Sequence, residues 1–181
     1  MDIRSIQGWQ WCPDEVSSRL AVSGAEGLVT VTPYRLKDLF PDAGQPQQWL
    51  LADTELFLDL AESLEVSLEM AESRAQELAL WATAAHRFYP HQQPRSWAFL
   101  PSPARLTLSS GNIVELQHTA GSVTFLVVRA EETASLLMLL DDNLQIEGMR
   151  PLICGAVLRV MNDRVQRYVR RHDGSHLLHA V

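Results

Sequence analysis

The chain contains 181 residues, of which 46% are hydrophobic and 20% are charged, and it carries a formal net charge of −7. This composition excludes disordered, collagen-like and low-complexity proteins. The longest apolar runs are far shorter than the roughly 18 residues that cross a bilayer, and the N-terminus lacks the pattern of a secretory signal. Two cysteines, Cys12 and Cys154, do not make a disulfide framework and fit a reducing compartment. We therefore predict a cytoplasmic globular protein without a membrane span.

The charge is unevenly distributed along the chain. Residues 1–93 contain 6 Lys and Arg and 14 Asp and Glu, a net charge of −8, whereas residues 94–181 contain 9 Arg and 8 Asp and Glu, a net charge of +1. Such an asymmetry is typical of separate surfaces with separate partners. A solvated face with a basic tail is the alternative interpretation.

The first third of the chain predicts short strands followed by a helical turn. Alternating apolar residues and glycine turn points predict strands at residues 9–11, 19–23 and 28–32. Residues 34–40 have room for one or two helical turns before Pro41. Residues 42–48, rich in Gly, Pro and Gln, are predicted to form a loop.

Two helices follow. Asp53 is a plausible N-cap for a helix whose apolar stripe contains Leu56, Leu60 and Leu64, although residues 56–58 could instead begin a strand. The clearest helix spans residues 71–88, where small and apolar residues recur every three or four positions. Pro90 ends it.

After a predicted linker at residues 91–94, the pattern changes to short apolar segments separated by turn residues. These segments are residues 97–100, 105–108, 113–118, 123–129, 135–140, 144–147 and 156–161. Short strands at this spacing are typical of a small barrel or sandwich. We therefore predict an α+β protein: an N-terminal α/β domain (1–93), a C-terminal twisted β-barrel-like domain (94–164) and a basic, His-containing tail (165–181).

The sequence contains no pattern of an enzyme or a cofactor site. It has no Gly-rich phosphate loop and no GxSxG, CxxC or HExxH motif. A metal site at His172, His176 and His179 is an alternative if the tail is helical, and Gly174 argues against it. An enzyme with an unrecognised pocket is a second alternative. We predict a protein that is not an enzyme and that needs no cofactor or metal.

Tryptophan and arginine provide the candidate contact residues. Trp9 and Trp11 lie on the same side of a predicted strand, where they either bind a partner or pack under the long helix. The segment Pro94–Trp97 combines a stiff residue, a cation and an indole at the predicted domain junction, where pockets are common.

Residues spread along most of the chain carry a resemblance to a known family. They are Trp9, Trp11, Asp14, Glu15, Arg19, Gly27, Leu28, Arg35, Lys37, Leu39, Pro41, Asp42, Ala43, Arg87, Pro94–Trp97, Phe99, Leu126–Val128, Met161–Arg164, Ala180 and Val181. In this order and spacing they resemble the ZapC family of cell-division proteins from Gram-negative bacteria. The loops 42–51 and 101–111 and the region after residue 164 depart from the family pattern.

The resemblance implies a cytoplasmic, non-enzymatic protein that joins the division ring at mid-cell. It implies direct binding to the tubulin-like GTPase FtsZ, lateral bundling of FtsZ protofilaments and lower GTP turnover. It also implies an α/β part followed by a twisted β-barrel-like part.

An acidic filament would repel a protein of net charge −7, so binding requires a local patch of positive charge. Arginine supplies such a patch and forms bidentate pairs with carboxylates. The predicted partner-binding residues are Trp9, Trp11, Arg35, Lys37, Arg95, Trp97, Arg159 and Arg164. We expect no nucleic-acid partner, and a monomer or a weakly self-associating protein. The alternative is an Arg-rich β-barrel that binds nucleic acid, with Trp97, Phe99 or Tyr168 stacking on bases.

Overall fold

The computed structural model describes residues 6, 8–24, 27–103, 105–119, 121–148 and 150–170. The helices within these residues are α1 (Leu51–Leu68) and α2 (Glu72–Phe88). The strands are β1 (Gln10–Asp14), β2 (Arg19–Ser23), β3 (Val29–Arg35), β4 (Gln47–Gln48), β5 (Ile113–His118), β6 (Gly121–Arg129), β7 (Ala134–Leu139), β8 (Asn143–Leu144), β9 (Leu152–Ile153), β10 (Val157–Met161) and β11 (Val165–Arg167). The predicted α+β class is confirmed.

The N-terminal strands form one antiparallel sheet in the order β3-β2-β1-β4. The three strands predicted in the first third are confirmed, and Trp11 lies opposite Val22 between β1 and β2. The predicted helical turns at residues 34–40 shrink to one 3-10 turn at Leu36–Asp38, because β3 continues to Arg35. Residues 41–48, predicted as loop from residue 42 on, contain a 3-10 turn, Pro41–Gly44, and the short strand β4.

The helices α1 and α2 are consecutive and pack against this sheet. The strand alternative at residues 56–58 is wrong, because they lie inside α1. Asp53 is the third helical residue and not the N-cap, and Leu60 and Leu64 of the predicted stripe are buried. Neither helix in the described part of the chain is both long and apolar enough to cross a membrane.

The C-terminal strands form a five-stranded antiparallel sheet in the order β10-β7-β6-β5-β11. Its outer strands, β10 and β11, do not pair with each other in the described residues, so the sheet is open and not a closed barrel. The edge strand β11 falls within the segment that we predicted as tail. The predicted strand at residues 97–100 is wrong, since Ser96–Ala98 forms a 3-10 turn. Residues 105–108 also contain no strand.

The hydrophobic core crosses the predicted domain boundary. All six residues of β7 are buried, as expected for a continuous apolar strand covered on both faces. Leu136 and Met138 join the cluster formed by the helices and the N-terminal sheet, whereas Leu137 and Leu139 join a second cluster on the other face. The division into two domains after residue 93 therefore remains a proposal, since one core cluster contains residues from both sides of that boundary.

Candidate partner-binding surface

Trp9 and Trp11 are core residues. Trp11 is 0% exposed, stacks on Trp49 at a ring distance of 4.8 Å and meets the edge of Phe88 of α2. Its indole N–H donates to Asp53 Oδ2 at 3.2 Å. The structure therefore supports the interpretation that these tryptophans pack under the long helix, and neither is presented to a partner.

The guanidinium group of Arg159 forms hydrogen bonds within the molecule. It donates from Nη2 to Glu131 Oε2 at 2.7 Å and from Nη1 to the carbonyl of Gln92 at 3.3 Å. Glu131 also lies 3.3 Å from Arg129 and 3.2 Å from His91. Partial burial raises the pKa of the Glu131 carboxyl, but the hydrogen bond and charge of Arg159 and the charges of His91 and Arg129 outweigh this and lower it. This network joins the segment after α2 to the C-terminal sheet.

Arg164 also has an internal partner. It ends the 3-10 turn Asn162–Arg164, and its Nε lies 3.3 Å from Oδ1 of the neighbouring Asp163. Its side chain is 25% exposed. Arg164 is therefore less accessible than the arginines of the N-terminal sheet.

A break in the ladder between β2 and β3 brings two arginines together. Ala21 lies opposite Val31, but Arg19 lies opposite Arg35, so β3 contains two extra residues at this point. Pro33, inside the break, has no N–H for the ladder. The hydroxyl of Thr32 donates to the carbonyl of Leu20 at 2.7 Å and joins the two strands at the break. The chain then re-pairs with Arg35 beside Arg19.

The result is a like-charge pair between β2 and the edge strand β3 of the N-terminal sheet. Arg19, Arg35 and the nearby Lys37 are all exposed. Within the residues that the structure describes, none of them has an ion-pair partner within 4.0 Å. Like charges directly opposite each other on neighbouring strands are destabilising. A partner that carries carboxylates would remove this repulsion.

Arg35 also borders a groove between the two halves of the molecule, with a volume of about 460 Å³. Residues 33–35 of β3 form one wall, and residues 152–158, from β9 into β10, form the other. The connection after α2 contributes Tyr89, Gln92 and Arg95. The structure therefore brings together two predicted residues, Arg35 and Arg95, that are 60 positions apart.

The walls of the groove are held by direct hydrogen bonds. The buried hydroxyl of Tyr34 donates to the carbonyl of Gly155 at 3.0 Å, across the groove. The backbone N–H of Arg95 donates to the carbonyl of Arg159 at 2.8 Å. These contacts hold the main chain of β3 and of the segment around Arg95 against the C-terminal sheet.

The tyrosine and cysteine side chains in the groove are neutral at neutral pH. Burial raises the pKa of the Tyr34 and Tyr89 phenols, most strongly for Tyr34. Burial also raises the pKa of the Cys154 thiol and outweighs the nearby Arg74 charge. A neutral thiol and neutral phenols are poor nucleophiles and bases at neutral pH.

Exposed apolar side chains lie on the same chain segments as Arg35 and Arg95. Trp97 is 66% exposed and lies two residues after Arg95. On β3, Val29 and Val31 are exposed and alternate with more buried residues, in line with Arg35. Arginine and tryptophan are enriched among protein–protein hot spots.

Arg19 is the residue that the list of predicted contacts lacked. Simple hairpin counting from the Gly24–Leu28 turn places Arg19 opposite Pro33, so it gives no reason to pair Arg19 with Arg35. The only signal in the sequence is Pro33 itself, which predicts an irregular edge strand.

Neither alternative chemistry gains support from the described residues. Among these residues no group of three His, Cys, Asp or Glu side chains is placed to hold a metal ion. His172, His176 and His179 lie outside the described residues. Phe99, one of three aromatic residues considered for base stacking, is only 3% exposed.

The comparisons with known proteins decide the family. The family model described as cell-division protein ZapC, N-terminal, matches residues 2–90, and the one described as cell-division protein ZapC, C-terminal, matches residues 91–171. The cell division protein ZapC of Shewanella woodyi is 31% identical over 157 residues, which is 87% of this chain and 87% of that protein. The chain belongs to the ZapC family.

Further ZapC proteins match along most of their length. The cell division protein ZapC of Vibrio vulnificus is 30% identical over 90% of both chains. That of Proteus mirabilis is 30% identical over 175 residues, 96% of this chain and 94% of the relative. The resemblance to ZapC is thereby confirmed, and the family is named for cell division and not for a catalytic activity.

Proposed function

We propose that this protein binds FtsZ directly in the cytoplasm at the mid-cell division ring, promotes lateral bundling of FtsZ protofilaments and lowers their GTP turnover. Membership of the ZapC family supports the cellular role. The observation that carries the contact itself is the exposed Arg19–Arg35 pair at the rim of a groove that also contains Arg95.

Charge explains why the contact forms at this place. Two acidic molecules repel each other, and the chain has a net charge of −7. Arg19, Arg35 and Lys37 are exposed at the end of the β2–β3 ladder, where carboxylates of the filament can form bidentate pairs with the guanidinium groups. Such exposed pairs mainly raise the association rate and are weakened by salt.

Bundling requires two contacts for each cross-link. The cationic groove supplies one contact, and a weakly self-associating protein supplies the second through its other copy. A monomer needs a second, separate surface to act in the same way. Lower GTP turnover follows by linkage, because a ligand that prefers the assembled lattice slows the release of subunits.

Co-sedimentation with FtsZ and GTP over a salt series tests this function. Arg35→Glu combined with Arg95→Glu should reduce filament binding at least about tenfold and abolish bundle sedimentation. The matched control, Arg105→Glu with Arg150→Glu, makes the same change in net charge at two exposed arginines outside the groove and should bind almost normally. Equal losses in both double variants would mean that only net charge matters and would contradict this site.

A further inference from the structure

We propose that the groove binds an extended, acidic peptide segment of the partner by strand addition to the free edge of β10. This inference rests on the proposed function and specifies the form of the FtsZ segment that is recognised. Its evidence is the backbone pattern of β10, the charge at the rim and the size of the groove.

The outer edge of β10 is partly covered by the segment after α2. The carbonyl of Arg159 accepts the N–H of Arg95 at 2.8 Å, and the N–H of Met161 donates to Ser96 Oγ at 2.8 Å. Both groups point away from β7, which pairs with the other edge of β10. In a strand, residues two apart direct their backbone groups to the same side. The N–H and carbonyl of Val157 therefore also point outward.

Val157 lies where this cover ends. The segment around Arg95 protects the edge from residue 159 onward, and Val157 belongs to the groove wall. Among the described residues, no main-chain group outside the ladder with β7 bonds to the N–H or carbonyl of Val157. A sheet edge whose main chain faces a groove is the arrangement that β-strand addition uses.

The rim selects the chemistry of the segment. Arg95 lies on the β10 side and Arg35 on the β3 side, and both are exposed. Asp38 also lines the groove, so the lining carries a small positive excess and not a strong general field. Recognition therefore depends on carboxylates placed at the two arginines. Ile153, 64% exposed on the same wall, adds an apolar contact.

The size of the groove favours a short segment. Its volume of about 460 Å³ lies in the lower half of the range of about 300–1,000 Å³ for ligand pockets. An extended chain alternates its side chains with period two, so carboxylates can face the rim while main-chain groups reach Val157. The fitting ligand is a strand of a few residues with acidic side chains around an aliphatic one.

An array of overlapping twelve-residue peptides that covers FtsZ provides the probe. Binding is followed by fluorescence anisotropy and by the NMR amide shifts of the full-length protein. The peptides that bind should combine carboxylates with an aliphatic residue and shift the amide of Val157. Binding should be lost in Arg35→Glu with Arg95→Glu and kept in Arg105→Glu with Arg150→Glu.

N-methylation of the bound peptide, one residue at a time, tests the strand addition itself without altering the protein. Loss of one main-chain hydrogen bond should weaken binding about three- to tenfold at the methylated residue that pairs with Val157, and much less at its neighbours. Equal effects at every position, or an unchanged Val157 amide, would overturn the strand addition.

The same experiments separate this inference from the proposed function. If no peptide binds while intact FtsZ filaments still bind through Arg35 and Arg95, the extended-segment proposal is refuted and the function stands. If intact filaments do not bind at all, the proposed function fails.

Discussion

The carboxylate of Asp53 should be a principal anchor of the N-terminal half. It accepts the indole N–H of Trp11 at 3.2 Å and the backbone N–H of Leu50 at 2.9 Å, and it forms an ion pair with Arg87. One side chain thus connects β1, the start of α1 and the last turn of α2. Its position in the first turn of α1 also complements the helix dipole. We expect Asp53→Ala to disrupt all of these contacts at once.

The size of the effect follows from the burial of the partners. Each buried donor left without an acceptor costs about 1–3 kcal/mol, and breaking a buried ion pair costs about 3–5 kcal/mol. The side chain of Arg87 is 20% exposed, and it keeps bonds to the carbonyl of Gln48 and to Gln47 Oε1. The lower end of the range therefore applies, and Asp53→Ala should lower the free energy of unfolding by about 3 kcal/mol.

Urea denaturation followed by tryptophan fluorescence measures this loss directly. Asp59→Ala is the matched control, because Asp59 lies on the same helix and is exposed, so its removal should change stability by less than about 0.5 kcal/mol. In a double-mutant cycle, Asp53→Ala and Arg87→Ala should couple by about 1–3 kcal/mol. A loss below about 1 kcal/mol for Asp53→Ala, or additive effects in the cycle, would refute this reasoning.

Three further variants test other parts of the structure. At Gly155, φ is +87° and an added Cβ would lie 2.7 Å from Trp81 Cε3. Gly155→Ala should therefore lower the free energy of unfolding, measured in urea, by about 3 kcal/mol. A loss under about 1 kcal/mol would contradict this close packing. The folded-state pKa of Glu131 is lowered, so the ionised carboxylate stabilises the fold above the usual pKa of 4.5, and this stabilisation is lost as the pH falls below that value. Glu131→Gln should therefore make the free energy of unfolding less dependent on pH below 4.5. An unchanged pH profile would argue against the pairing with Arg159. Trp97→Ala should leave the melting temperature nearly unchanged, because the side chain is 66% exposed, and should weaken co-sedimentation with filaments. A large fall in the melting temperature would instead show that Trp97 packs in the fold.

Local patterns in the sequence predicted most of the regular structure. The spacing of apolar residues predicted α2 to within one residue of its observed start, and alternation with glycine turns predicted β1, β2 and β3. These elements depend on neighbours in sequence, where period and turn chemistry are informative. The predicted strand at residues 97–100 failed, because the segment is held by contacts of Arg95 and Ser96 with distant β10.

The candidate site was predictable only in part. Arginine-rich composition and the segment Pro94–Trp97 identified Arg95 and Trp97, and both are exposed. The partner-binding role considered for Trp9, Trp11 and Arg159 finds no support in their surroundings, since a side chain's burial depends on what covers its face of the sheet. Residue type alone does not carry that information.

The sequence by itself determined α2 and the first three strands, the absence of known catalytic motifs and the uneven charge. Tertiary structure alone decided where that charge acts. The irregular pairing at Pro33 shifts the register so that Arg19 meets Arg35, and the packing of β9 and β10 on β3 brings Arg95 to the same groove. The physical reason is that register and sheet packing are set by contacts between residues far apart in the chain, whereas local periodicity reports only which side of a strand or helix is apolar.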